Sequence, residues 1–219
     1  MKILIVEPCG FMRLGMFSLL IDHPQIDVMD VEDLAQSIDL ASDFNPDIIF
    51  VNMTSHCHYT DVDPVINSFL NLRHTSTIYC YLDTSYPESD EPVMVADNFF
   101  IFKKQNISSI LQQAIDLSGT PLPVKYSPVP FSLFSDQEIL VMNYWMAEMP
   151  NYRIARKLNI SDRTVYVHKR HITQKIKVRN RLEFCFIYNL IKYFYWPINP
   201  LAIRPLSRQT KSDILTLIR

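Results

Sequence analysis

"PDIIFVNM", residues 46–53, is the stretch on which the reading of the first half of this chain turns. Four consecutive apolar residues, Ile48 to Val51, follow Pro46-Asp47 and run into a polar side chain, Asn52. A run this short and this apolar reads as a strand buried on both faces, delivering the residue at its end to the rim of a parallel sheet. The segments on either side agree. "KILIVE" (2–7) reads as a first strand, and "FMRLGMFSLLI" (11–21) places Phe11, Leu14, Phe17 and Leu20 or Ile21 at helical spacing. "IDVMDV" (26–31) alternates as a strand, and "LAQSIDLASDF" (34–44) puts Leu34, Ile38, Ala41 and Phe44 on one helical face. After the quoted strand come "VINSFLNL" (65–72, helix), "TIYCYL" (77–82, strand), "FFIF" (99–102, strand) and "ISSILQQAIDL" (107–117, helix). Between them, Asp83 to Asp97 is poorly periodic and carries Pro87 and Pro92. Strands alternating with helices predict a doubly wound α/β domain with a parallel five-stranded sheet, its functional groups gathered at the strands' carboxyl ends.

The 219-residue chain has a formal net charge of −2, which hides an asymmetry. Residues 1–120 hold five Lys/Arg against seventeen Asp/Glu, and residues 121–219 hold sixteen against six. Such a split points to two domains with different partners, the basic one suited to a nucleic acid. "GTPLPVKYSPVP" (119–130) separates the two charge regimes and reads as an extended linker. The expected organisation is therefore a first domain at 1–118, a linker at 119–130, a second domain at 131–195 and a loose extension at 196–219. No apolar run approaches the roughly 18 residues of a membrane span, and "MKILIVEPCG" is too short and too quickly acidic for a signal peptide. Four widely spaced cysteines without a CxxC pair predict reduced thiols and a cytoplasmic location.

The acidic half resembles the receiver domain of bacterial response regulators. That resemblance implies an acidic pair after the first strand for magnesium, an acceptor aspartate after the third, a Ser/Thr after the fourth and a Lys after the fifth. Here the acidic pair falls on Glu7 and Pro8, the acceptor on Asn52, and the hydroxyl position near Tyr81 to Asp83, with Thr84 close by. The lysine falls on Lys103 or Lys104. An amide does not form an acyl phosphate as a carboxylate does, and Pro8 removes a metal ligand. The expectation is a pseudo-receiver in which Glu7, Asn52 and Lys103 form a degenerate acceptor pocket without metal or cofactor. His56-Cys57-His58 has ligand-type residues, but no second cluster completes a tetrahedral set. No nucleophile–base arrangement or phosphate-cradling glycine loop is evident, so no enzyme activity is expected.

In the basic half, Ser135 with Glu138 forms a capping box that opens a helix striped by Ile139, Met142 and Trp145 or Met146. Pro150 is placed for the first turn of a short helix, "NYRIARKL", and Asn159-Ile160 makes a tight connection. Ser161 caps a third helix, with Asp162 near its positive end. Its buried side is expected to hold Val165, His168, Ile172 and Ile176, leaving a basic and aromatic opposite face. A short capped helix, a tight turn and a long basic helix read as a helix-turn-helix. The alternative is a plain helical bundle with a solvated charged face.

Residues 134–183 resemble the LuxR/NarL-type DNA-binding domain, with matches at Glu138, Val141, Asn151, Ile154, Ala155, Leu158, Thr164, Val165 and others, and departures at Glu148, usually glycine, and Arg153. The resemblance implies double-stranded DNA as partner. Tyr166, Val167 and Arg170 would face the major groove, while Ser161, Thr164, Lys169 and Lys175 would lie near phosphates. It also implies dimerisation through the final helix, 180–195, whose "FCFIYNLIKYFYW" is dense in aromatics. "EPCGFMRLGM" (7–16) narrows the resemblance to RcsA-type auxiliary regulators, with the BglJ type an equal neighbour. Such proteins combine a degenerate receiver with this DNA-binding domain and act as heterodimers with a response regulator of the same family, RcsB. The expected function is a transcription regulator that binds specific DNA independently of its own phosphorylation, with a related regulator or a second copy as partner. The alternative is an interaction module that modulates a response regulator with little DNA contact of its own.

Overall fold

The computed structural model describes residues 1–58, 63–116, 131–195 and Ser212. The expected linker, and the extension apart from Ser212, lie outside the described residues. The first half runs β1 (Lys2–Val6), α1 (Gly10–Leu20), β2 (Asp27–Val31), α2 (Leu34–Phe44), β3 (Ile48–Asn52), α3 (Pro64–Asn71), β4 (Thr77–Leu82), β5 (Val93–Ala96), β6 (Phe99–Lys103) and α4 (Ile107–Asp116). The second half runs α5 (Asp136–Met146), α6 (Asn151–Leu158), α7 (Asp162–Lys175) and α8 (Arg181–Tyr195).

β3 lies inside a sheet ordered β2-β1-β3-β4-β6-β5. All five of its residues are buried, because helices cover both faces. The two-residue period of a strand sorts its side chains: Ile49 and Val51 join a cluster with Leu34, Ala41 and Phe69, while Ile48 and Phe50 join one with Met16, Leu20, Ile110 and Ala114. The α/β doubly wound expectation is met, with one correction. The sheet has six strands, because Val93–Ala96 pairs antiparallel to β6. The hairpin between them turns at Asp97-Asn98, with Asn98 at φ 55°. Four apolar residues hemmed in by Pro92 and Asp97 are too short to show a period, so the strand is defined by its partner.

A second correction concerns α1. Met16 and Leu20 are its buried residues, whereas Phe11 is 89% and Leu14 66% exposed. Local periodicity finds the helix here but not the face that meets the sheet.

The helical half is joined to the sheet half through α8. Ten consecutive residues, Glu183 to Lys192, are buried. A helix apolar on all sides belongs between two layers. On one side Phe184 stacks on Trp145, with ring centres 5.3 Å apart, and Cys185 approaches Met146. On the other side Phe186 meets Tyr86 edge-on at 5.9 Å, Asn189 Nδ2 donates to Cys57 O at 2.8 Å, and Asp63 N–H donates to the Tyr193 hydroxyl at 2.9 Å. Residues 186, 189 and 193 are three and four apart, so one helical stripe carries all three contacts. Phe194 packs on Phe99 at 4.9 Å, and the Tyr195 hydroxyl donates to Val95 O. The aromatics expected to face another subunit are thus turned onto the chain's own first half.

Candidate functional site

At the carboxyl edge of the sheet the expected acceptor residues form a closed polar lattice. Asn52, 6% exposed, donates from Nδ2 to Glu7 Oε2 at 2.9 Å and to Asp83 Oδ2 at 3.3 Å. Its Oδ1 accepts from the Thr54 N–H at 3.0 Å and the Thr54 hydroxyl at 2.6 Å. The Thr54 hydroxyl in turn accepts from the Asp83 N–H at 2.7 Å. Glu7, 1% exposed, accepts from the Cys9 N–H on Oε1 and from the Tyr81 hydroxyl on Oε2. Burial, and the Glu7 carboxyl at its hydroxyl, raise the Tyr81 pKa far above the ordinary tyrosine range, so Tyr81 is a permanent donor.

The structure therefore brings Glu7 and Asn52 together. The lysine that closes the network is Lys104, which pairs with Asp83; the expected Lys103 stands one position earlier, at the end of β6. Asp83 occupies the end of β4 where a hydroxyl is expected, while Thr84 turns away to Tyr86 O at 3.2 Å. Thr54 and Tyr81 were not among the sequence candidates for this lattice. Thr54 lies two residues past Asn52, the spacing of a side chain closing on its neighbouring backbone, and that was the available signal.

These residues do not fit a divalent cation. Pro8 offers no ligand, and both Glu7 oxygens already accept hydrogen bonds. Among the described residues no group of three His, Cys, Asp or Glu is placed to hold a metal. Beside the lattice lies a cavity of ≈ 400 Å³ lined by Pro8, Glu32, Asp33, Asn52, His56 and Asp63. Burial lowers the His56 pKa, opposed by Asp63 and Asp33.

The second site is the outer face of α7. Ser161 caps it, accepting the Thr164 N–H at 3.0 Å, and α6 before it ends on Asn159 in the left-handed region at φ 52°. Val165, Ile172 and Ile176 are fully buried, and His168 is half-buried. That seating turns Arg170 outward with Tyr166, 63% exposed, and Val167, 38% exposed. Three adjacent side chains on one helical face offer a guanidinium fork, an aromatic ring and a branched aliphatic group. Such groups read base edges and thymine methyls.

The expected phosphate-contacting lysines are placed differently. Lys169 Nζ donates to Asn151 Oδ1 at 2.6 Å and lies 5.0 Å from the centre of the Trp145 ring. Burial, and then the nearby Arg181, lower its pKa to about 8. Lys175 Nζ is 2.6 Å from Glu138 Oε2. Burial works to raise the Glu138 pKa, but Lys175 and the Ser135 cap overcome it and leave it lowered. Glu138 therefore does two things: it completes the capping box of α5 and anchors the far end of α7. Glu148, at the position where glycine is usual, has φ 58° and pairs with Arg181 at 3.6 Å. Among the described residues no helix is long and apolar enough to cross a membrane.

Comparison with known proteins matches both halves. Residues 2–119 match the family described as "Transcriptional regulator RcsA, N-terminal dimerisation domain", and residues 132–187 match the bacterial regulatory proteins of the luxR family. The transcriptional regulatory protein RcsA of Pantoea stewartii subsp. stewartii is 25% identical over 194 residues, spanning 83% of this chain and 90% of its own length. RcsA of Escherichia coli O157:H7 is 26% identical over 191 residues, spanning 83% and 89%. Among solved structures, RcsB from Salmonella enterica serovar Typhimurium, bound to promoter rprA with phosphomimetic BeF3-, aligns with a TM-score of 0.51 at 16% identity. That alignment covers 87% of this chain and 98% of RcsB, and at such identity it speaks for the fold: a receiver-like sheet followed by a helical domain.

Proposed function

Since the chain belongs to the RcsA family of bacterial transcriptional regulators and carries a luxR-type DNA-binding domain, we propose that it binds a specific promoter site without phosphorylation of its own, paired with a related response regulator. The observation that carries the reading is the outward face of α7, where Tyr166, Val167 and Arg170 stand together while the helix's apolar residues are locked inside. Arg170 donates to guanine O6 and N7, and Tyr166 and Val167 contact thymine methyls. Ser161, Thr164, Lys169 and Lys175 meet phosphates, which position the helix and carry no sequence. The lattice around Asn52 supports independence from phosphorylation, because an amide committed to four hydrogen bonds stands where an acceptor carboxylate is needed. RcsB-type regulators are the proposed partners, and the protein works in the bacterial cytoplasm, without enzymatic activity.

One observation favours a second reading. Lys169 and Lys175 are held by Asn151 and Glu138, so part of the basic charge of α7 is already neutralised. A protein that chiefly modulates a response regulator, with little DNA contact of its own, has use for such a helix. Fluorescence anisotropy on labelled rprA promoter DNA and on a scrambled duplex, with and without RcsB, separates the two. On the first reading, Arg170→Ala costs about 1–3 kcal/mol on the specific site and little on the scrambled one. Lys175→Ala weakens both and flattens the salt dependence by about one unit of slope. Equal losses on both duplexes for both variants, or none, leave the interaction reading standing.

A further inference from the structure

Pairing needs a surface, and the helix expected to supply it, α8, is buried within the chain over ten residues. The exposed apolar groups of the first half gather on α1 instead. Phe11 is 89% exposed and Leu14 66%, and Ile21, just past the helix, is 59% exposed. Ser18 and Gly15 lie between them on the same exposed side. The neighbouring α4 turns Ser108, Gln112 and Gln113 outward, uncharged side chains of the kind that flank an apolar contact.

Gly15 is the second observation. It sits inside α1, where glycine weakens a helix relative to alanine. Its backbone is not left-handed, and a Cβ there meets nothing within 4 Å. Nothing in this chain requires a glycine at that position. A second backbone lying close across the stripe does require one, because a methyl group holds it away.

Charge selects the occupant. The only basic residue on α1, Arg13, is turned towards Glu7 O, Asp30 and Glu32. Asp22 and Asp116 stand exposed beyond the ends of the patch, and residues 1–120 hold seventeen acids against five bases. Two copies meeting here set acidic rims against each other, which opposes association. We propose that the α1 face, centred on Phe11, Leu14 and Gly15, docks the receiver-fold domain of a second regulator, one with basic residues around its own apolar centre. This rests on the pairing reading above and names its surface, and it agrees with the dimerisation role described for the matched N-terminal family.

The test uses the full chain with labelled RcsB as probe, measuring pairing by anisotropy and sedimentation and folding by thermal melting. Phe11→Gln weakens pairing roughly ten-fold or more, as loss of a central anchor does, and leaves melting unchanged. Gly15→Ala gives effects of opposite sign: melting rises by about 2–4 °C, from the better helix former, while pairing weakens. If RcsB pairs with the wild type and with both variants alike, the surface is wrong and the pairing reading survives. Tighter self-pairing than RcsB pairing through the same residues overturns the choice of occupant. A Gly15→Ala chain that melts earlier overturns the argument from glycine. Absence of any RcsB complex overturns the surface and the pairing reading together.

Discussion

If α8 is the shared core of both halves, two substitutions on its opposite sides must have the same consequence. Phe184 and Phe186 are both fully buried, two positions apart on one helix. Phe184 stacks on Trp145 within the helical half, and Phe186 meets Tyr86 in the sheet half. Truncating a buried phenylalanine to alanine costs about 3–5 kcal/mol from lost transfer energy and the cavity left behind. For a chain of this size that lowers the melting temperature by about 6–20 °C. Urea unfolding is followed by far-ultraviolet circular dichroism, which sees both halves, and by tryptophan fluorescence, whose reporters Trp145 and Trp196 belong to the second half of the sequence. One cooperative unit gives superimposed transitions. Phe186→Ala then moves the fluorescence midpoint as far as Phe184→Ala does, with an unchanged slope. Two resolved transitions in the wild type, with Phe186→Ala shifting the tryptophan signal by less than about 0.5 kcal/mol, would refute the shared core.

Other consequences are more local. Small phosphodonors with magnesium leave the protein unmodified in intact-mass spectra. Asn52→Asp does not restore the modification, and by setting a carboxylate beside Glu7 and Asp83 it costs about 3–5 kcal/mol in urea melts. Lys169, with its pKa lowered to about 8, loses its charge as pH rises from 7 to 9. DNA affinity therefore falls over that window on specific and scrambled duplexes alike, and Lys169→Met removes this component. The same lowered pKa means the unfolded chain binds more protons above pH 8, so Lys169 makes stability rise with pH from about 8 to about 10.4. Glu148→Gly relieves a left-handed non-glycine residue and raises stability by about 1 kcal/mol, less whatever its exposed pairing with Arg181 contributes; a clear loss in a denaturant melt refutes the strain.

What was legible in the sequence is what neighbouring residues decide among themselves. The apolar runs of β1, β3, β4 and β6 mark buried strands, and Ser135 and Ser161 cap the helices they were expected to cap. Pro150 falls one position before its expected place, as the cap of α6, which is the usual slack at a helix end. The outward turn of Tyr166, Val167 and Arg170 follows from burial of Val165 and Ile172 on a rigid helix. What was not legible depends on partners far along the chain. β5 exists because β6 lies beside it, and the stripe on α1 points away from the sheet because Met16 and Leu20 fill the space beneath. The lysine near Asp83 is Lys104 and not Lys103, a register that two consecutive lysines cannot specify. The two faces of α8 are equally apolar, so composition alone does not say whether a subunit or the chain itself covers the second.

The altered acceptor site and the seat of α8 are physically continuous. Thr54, whose N–H and hydroxyl both donate to Asn52 Oδ1, begins the turn Thr54–His58. Within that turn the His56 and Cys57 N–H groups donate to Met53 O at 3.0 and 3.2 Å. Cys57 O accepts from Asn189 in the middle of α8. Three short steps thus connect the residue at the end of β3 to the helix that joins the two halves. In a lattice with every hydrogen bond made, each member holds the next in one position, and a buried network loses heavily when any member moves. Replacing the acceptor carboxylate by an amide does more than remove a reaction. An amide both donates and accepts, so Asn52 binds Glu7 and Asp83 on one side and Thr54 on the other, which a carboxylate, an acceptor only, does not do. The substitution that removes the phosphorylation chemistry is the one that fixes the turn on which α8 rests.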